Sequence, residues 1–219
     1  MTRTLVAAVF LALVASPIAY AQDEALASAG AEYLEEDDYL EEDVEFCGGG
    51  EETLVDEAYY AMEGGDAEGA RELLIDALRR GDVADWERPT ALVTLAEAQL
   101  RLGETRSAVV NYRKVLRRWP DQVGPGARVG LASALFLRGS RGAAFAAASA
   151  AADQVCSDRW SQVSCYGAQQ IIARTSRDDD QRAAAATRAA GLRGEYADLT
   201  ESFDRLDYTL GLRRTPPVG

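Results

Sequence analysis

Three glycines set the plan of this chain. Gly65, Gly103 and Gly139 lie 38 and then 36 residues apart, each between segments rich in alanine and leucine. Leu95 and Ala96 precede Gly103 by eight and seven residues, Ala108 follows by five, and Tyr112, Val115, Leu116 and Pro120 come after. Matching offsets hold Ala58, Asp66, Ala70, Leu74, Ala77 and Leu78 around Gly65. Around Gly139 they hold Leu131, Ala132, Ala144, Ala148 and Ala151. A period of this length points to a repeated helical hairpin. Glycine takes the positive φ that closes such a hairpin, and alanine lets two helices cross closely. A single hairpin cannot bury its own apolar face, so neighbours must stack.

Further turn signals at Gly81-Asp82, Pro120-Asp121 and Gly124-Pro125-Gly126 cut residues 51–212 into helices of about a dozen residues. No alternating strand pattern persists. The register fades after residue 158, but residues 160–174, 181–190 and about 195–212 still read as helices. Asp178, Asp179 and Asp180 sit where carboxylates favour a helix N-terminus. In the last segment Tyr196, Leu199, Phe203, Leu206 and Leu210 form one apolar stripe, as a helix closing the end of a stack requires. Residues 213–219, ending Pro216-Pro217-Val218-Gly219, read as a loose tail.

The pattern resembles the tetratricopeptide repeat family. Residues 89–122 carry it best, with Leu95, Ala96, Gly103, Ala108, Tyr112, Val115 and Pro120 on family positions. Leu92 and Gln99 stand where Trp and Tyr are usual. The resemblance covers residues 51–158. It implies an all-α fold, a superhelical stack of antiparallel helix pairs (an α-solenoid) with a C-terminal capping helix. It also implies a non-catalytic scaffold that holds a protein or peptide partner along the first helices of the pairs. Carried over position by position, that face comprises Val55, Tyr59, Met62 and Glu63 from the first repeat. The second repeat gives Thr90, Val93, Glu97, Leu100 and Arg101, and the third Val129, Ser133, Phe136 and Leu137. The set is rather apolar, with one base, and the same residues could instead be plain core.

Composition removes several chemistries. The chain has no histidine, and Lys114 is its one lysine, in Tyr112-Arg113-Lys114-Val115. A Ser-His-Asp or Cys-His system therefore lacks its base, and a phosphate-binding Gly-Lys-Ser/Thr loop is absent. Histidine-dependent zinc sites are excluded, and no cofactor motif or metal-ligand cluster is read. The many carboxylates fall on polar helix faces or in the acidic N-terminal stretch, where no burial would tune them for glycosidic cleavage.

The N-terminus reads as a secretory signal peptide, residues 1–21. Arg3 precedes the apolar run Leu5 to Val14, Pro17 breaks it, and Ala19-Tyr20-Ala21 offers cleavage before Gln22. No cysteine follows for a lipid anchor, and no later segment is apolar for long enough to span a membrane. The expected location is the periplasm or the outside of the cell, with a partner in the cell envelope. Residues 22–57 then hold fifteen of the 36 acids and no base. From residue 58 onward 21 acids face 22 bases, so the net charge of −13 belongs to an acidic arm, residues 22–50. The arm reads as a disordered spacer, as a Tyr-Leu interaction motif for a basic surface, or as a loose cation site. Nucleic acid is disfavoured by the sign of the charge.

Of the three cysteines, Cys156 and Cys165 flank an expected turn between helices. They could form a disulfide in an oxidising compartment or remain two buried thiols. Cys47 is then free or pairs between chains. Arg79, Arg80, Arg113, Arg117 and Arg118 fall late in second helices, where they favour helix C-termini or build a basic patch.

Overall fold

The computed structural model describes residues 53–157 and 161–214. The expected signal peptide, the acidic arm with Cys47, and residues 215–219 lie outside the described residues. Among the described residues every regular element is helical. In order they are α1 (Leu54–Glu63), α2 (Ala67–Arg80), α3 (Arg88–Arg101), α4 (Thr105–Arg118) and α5 (Gly124–Leu137). There follow α6 (Arg141–Val155), α7 (Gln162–Thr175), α8 (Asp179–Glu195), a 3-10 turn (Ala197–Leu199) and α9 (Thr200–Thr209).

Each helix from α1 to α8 packs on the next in sequence. The odd-numbered helices touch one another as well, α1 on α3, α3 on α5 and α5 on α7. The three expected hairpin turns share one hydrogen-bond pattern. The N–H groups of Gly65, Gly103 and Gly139 bond to the carbonyls of Met62, Leu100 and Phe136 at 3.1, 3.1 and 2.9 Å. The next residues, Asp66, Glu104 and Ser140, bond back to Ala61, Gln99 and Leu135 at 2.8, 2.8 and 2.9 Å. The carbonyls left over at each helix end are thereby satisfied. At Gly103 the chain adopts φ 78°, a conformation that a side chain opposes, and the other two turns match it. Ala70, Ala108 and Ala144 follow at equal distance and are all fully buried where the paired helices cross.

The fourth pair closes differently. No glycine stands between α7 and α8; instead Ser176 Oγ accepts from Asp178 N–H at 3.1 Å and donates to Gln181 Oε1 at 2.6 Å. Asp178 caps α8 by accepting from Gln181 N–H at 2.9 Å, as the acidic triplet suggested. α1 begins with a capping box, Thr53 Oγ1 accepting from Asp56 N–H while Asp56 accepts from Thr53 N–H, both at 3.2 Å.

Three boundaries differ from the sequence reading. Gly124-Pro125-Gly126 is not a turn but the first turn of α5, where a proline costs no hydrogen bond. The helix expected over 181–190 runs from Asp179 to Glu195, through Gly191 and Gly194. The long terminal helix is interrupted: Tyr196 leaves helical geometry at φ −114° and ψ 66°, and α9 begins only at Thr200. Arg213, assigned to the tail, is ion-paired with Asp204.

Two apolar clusters hold the pairs together. The first joins α1, α2 and α3 through Ala58, Met62, Ala70, Leu74 and Leu95. The second runs from α3 to α9 through Tyr112, Ala144, Val155, Ile171 and Phe203. α3 belongs to both, turning Ala91, Leu95 and Ala98 to one and Ala96 and Leu100 to the other. Gln99, the departure from the family pattern, is buried and accepts from Asn111 Nδ2 at 2.9 Å. Its amide thus finds the partner that burial demands.

Cys156 ends α6 and Cys165 lies in the first turns of α7; the two are disulfide-bonded with Cα atoms 4.8 Å apart. Cys165 is fully buried. The bond fixes the entry of the fourth pair on the third.

Candidate functional site

The odd-numbered helices and α9 enclose a groove with a cavity of about 440 Å³. Eight of the thirteen expected binding residues line it: Tyr59, Glu63, Val93, Glu97, Leu100, Arg101, Val129 and Ser133. Five do not. Val55 and Met62 turn into the first apolar cluster, Thr90 is exposed near the start of α3, Phe136 packs against the second cluster, and Leu137 ends α5 at the surface. The reason on α5 is position along the axis: Phe136 and Leu137 continue the row of Val129 and Ser133, but they stand at the C-terminal end of the helix, beyond Ser133, the last residue of α5 on the groove.

Other lining residues were not read from the resemblance. Tyr112 reaches the groove from α4 because α5 offers it Gly130. A β-carbon at Gly130 would stand 2.4 Å from the Tyr112 ring. A glycine inside a helical run was the available signal for such a close approach. α9 supplies Ser202, Arg205, Leu206 and Thr209. Leu206 seats against Gly167 and Val129, where Gly167 leaves it room.

α9 thus packs on α7 and forms one wall of the groove. Two polar anchors hold it. Arg205 pairs with Glu63 of α1 at 2.8 Å and with Glu201 at 2.9 Å. Arg193 of α8 donates to Tyr166 Oη at 2.8 Å, Asp204 at 2.9 Å and Asp207 at 2.7 Å, while Tyr166 donates to Asp207 at 2.8 Å. Burial works against the Arg193 charge, but its bonds to Tyr166, Asp204 and Asp207 outweigh it and move its pKa up. The guanidiniums of Arg193 and Arg213 hold Asp204 below the ordinary carboxyl value. Tyr166 also stacks on Phe203, centroids 4.5 Å apart.

The groove's bases are engaged internally. Arg101 donates to the Met62 carbonyl at 2.6 Å and lies 3.7 Å from Glu63. Glu97, one turn before Arg101 on α3, has no hydrogen bond or ion pair among the described residues. Its surface is exposed to the groove, yet protein surrounds it on most sides, as happens on the floor of a concavity. That poor solvation raises its pKa; Arg101 opposes the rise and Glu63 adds to it.

A carboxyl whose folded pKa exceeds its unfolded value makes the folded state cost more as pH rises through that range. Glu97→Gln is therefore expected to raise the melting temperature at pH 7 by about 1–2 °C, the scale of a half-exposed site. Well below the ordinary carboxyl value of 4.5 the variant and the parent should melt together. A melting temperature lowered at pH 7 would assign Glu97 a structural role instead.

The arginines late in the second helices do not line the groove. Arg79 and Arg80 pair with Asp76 at 3.0 and 3.5 Å, and Arg118 lies over the Trp119 ring. Burial, then Arg118 and Arg88, lower the pKa of Lys114 between them. Among the described residues no cluster of three or more acidic or cysteine side chains could hold a metal ion, and no helix is long and apolar enough to cross a membrane. Comparison with protein-family models, with curated proteins and with solved structures gives no match.

Proposed function

We propose that the four helix pairs form a short tetratricopeptide-like stack that holds a protein or peptide partner in the groove and performs no chemistry. The observation that carries this reading is the convergence of α1, α3, α5 and α7 on one groove whose half-buried lining includes Val93, Val123 and Val163. The identical hydrogen bonding of three hairpin turns supports the repeat architecture. Export to the periplasm or beyond is part of the proposal. It rests on the apolar leader of residues 5–14 and on the disulfide, a bond that persists in oxidising compartments.

Val93 is the residue to change. Leu100 also lines the groove, but it is 6% exposed, so a charge there would test stability rather than binding. Val93→Glu should reduce capture of envelope proteins by the full chain at least tenfold while the melting temperature stays within about 2 °C. Undiminished capture by the folded variant would refute the groove. A second reading places recognition in the acidic arm as a binder of cations or basic surfaces, supported by fifteen acids without a base over residues 22–57. A chain beginning at Glu51 separates the two: loss of capture on that truncation, with Val93→Glu silent, favours the arm.

A further inference from the structure

The chemistry of the groove's occupant can be taken further, on the footing that the groove is a binding site. Three features of the groove bear on it. First, its charges balance in number, Glu63 and Glu97 against Arg101 and Arg205, but pair unevenly. Glu63 is shared by Arg205 at 2.8 Å and Arg101 at 3.7 Å, and Arg101 spends a second donor on a backbone carbonyl. Arg101 sits four residues after Glu97, the spacing at which the two would pair on a helix surface, yet it turns the other way. Glu97 is left as a carboxylate with no partner among the described residues.

Second, Tyr112 is 2% exposed and lines the same cavity, and its hydroxyl has no hydrogen-bond partner among the described residues. The ring is enclosed, but the oxygen is not one of the buried polar atoms that lack a partner: it opens on the cavity. Burial raises the Tyr112 pKa first, and the charge of Glu97 raises it further, so the carboxylate acts on the phenol across the cavity. The hydroxyl stays neutral and is able to accept as well as donate.

Third, the groove already holds one segment, and that segment belongs to the chain itself. α9 lays Leu206 on Val129 and Gly167 and gives the cation of Arg205 to the carboxylate of Glu63. An apolar contact beside a cation-carboxylate pair is thus how this face binds a helix. The rest of the groove repeats the combination, with Val93, Val123 and Ala127 beside Glu97.

We propose that the open part of the groove takes a polypeptide segment of a partner protein through a lysine or arginine side chain, received by the Glu97 carboxylate and the Tyr112 hydroxyl. The apolar stem of that side chain and an adjacent apolar residue lie on Val93, Val123 and Ala127. A cation with several donors satisfies both acceptors at once. Long basic side chains bury their stems while the charged end stays polar. A polypeptide is required because the cavity spans several helices and sets Val93, Val123 and Val163 among its polar groups, so a bare cation would leave most of it unfilled.

A random-peptide display selection on the full chain tests this. Peptides retained by the parent and lost by Val93→Asn, a neutral change that removes the apolar wall beside Glu97, are the groove-dependent set. They should be enriched in lysine or arginine next to an aliphatic residue. Glu97→Gln should weaken them roughly tenfold or more, and Tyr112→Phe, which keeps the ring, by a few-fold. Glu97→Lys should turn the preference towards acidic peptides. Melting curves establish that each variant is folded. Groove-dependent peptides indifferent to Glu97→Gln would overturn this inference and leave the groove reading intact. Absence of any peptide that depends on Val93 would overturn both. Spermidine or lysine amide competing as strongly as the selected peptides would overturn the assignment to a polypeptide.

Discussion

Replacing Arg193 by methionine should make α9 open from the rest of the molecule far more often while leaving α1 to α7 folded. Among the described residues its guanidinium is the one cation that joins Tyr166, Asp204 and Asp207, and its removal leaves Asp204 to Arg213 and Asp207 to the Tyr166 hydroxyl, with no cation between the two carboxylates. Asp207 is the more enclosed, with one oxygen already lacking a partner. Breaking a partly buried charge cluster from one side costs about 2–3 kcal/mol, less than the figure for full burial because water reaches these side chains. Phe203 and Leu210, both buried, still hold the helix, so the loss shows as more frequent opening of α9. Amide exchange over residues 200–209 should accelerate roughly 30-fold or more, with protection in α3 to α6 unchanged. The parent should show a weaker version of this release in acid. Asp204 has a depressed pKa, so its contribution is present at neutral pH and is lost as pH falls through that lowered value. Uniform loss of protection throughout the variant would mean that α9 and the body unfold together.

Gly130→Ala should destabilise the protein by about 2 kcal/mol, the reverse of what the same change does at an open helical site. Alanine normally gains up to about 1 kcal/mol over glycine in a helix interior. At Gly130 the new carbon would lie 2.4 Å from the Tyr112 ring, and Tyr112 is too enclosed to step aside. Gly191, inside α8 with nothing within 4 Å of an added carbon, is the control. Gly191→Ala is expected to stabilise by about 0.5–1 kcal/mol. Urea titration of both variants decides the matter; equal effects of the same sign would dismiss the close contact between α4 and α5.

The hairpins were legible in the sequence because their signal is local. A glycine with a positive φ and an alanine at the crossing are demanded within a few residues of each other, and Gly103 with Ala108 states both. The disulfide was legible as a pairing because its two cysteines flank one turn. The groove was legible in part. Tyr59, Val93, Glu97 and Ser133 were reached by family position, but Met62 sits beside the stripe, where a small rotation decides between groove and core, and Phe136 lies past the end of the groove. Least legible was α9. Its apolar stripe was plain, yet nothing local says that Leu206 lies on Gly167 or that Arg205 finds Glu63. Those contacts depend on the summed geometry of every pair between them. The break at Tyr196 was missed for the same reason, since the chain leaves the helix to reach a surface assembled elsewhere.

The pairing of Glu63 with Arg205 links positions 142 residues apart. Arrays of helical hairpins commonly lengthen by duplication, since each unit answers only to its neighbours. In this chain that lengthening would cost a contact. A further hairpin inserted between α2 and α7 would pack well on both sides and still carry α1 out of reach of α9. The ion pair acts as a gauge of unit number: it can close only at the present count of hairpins.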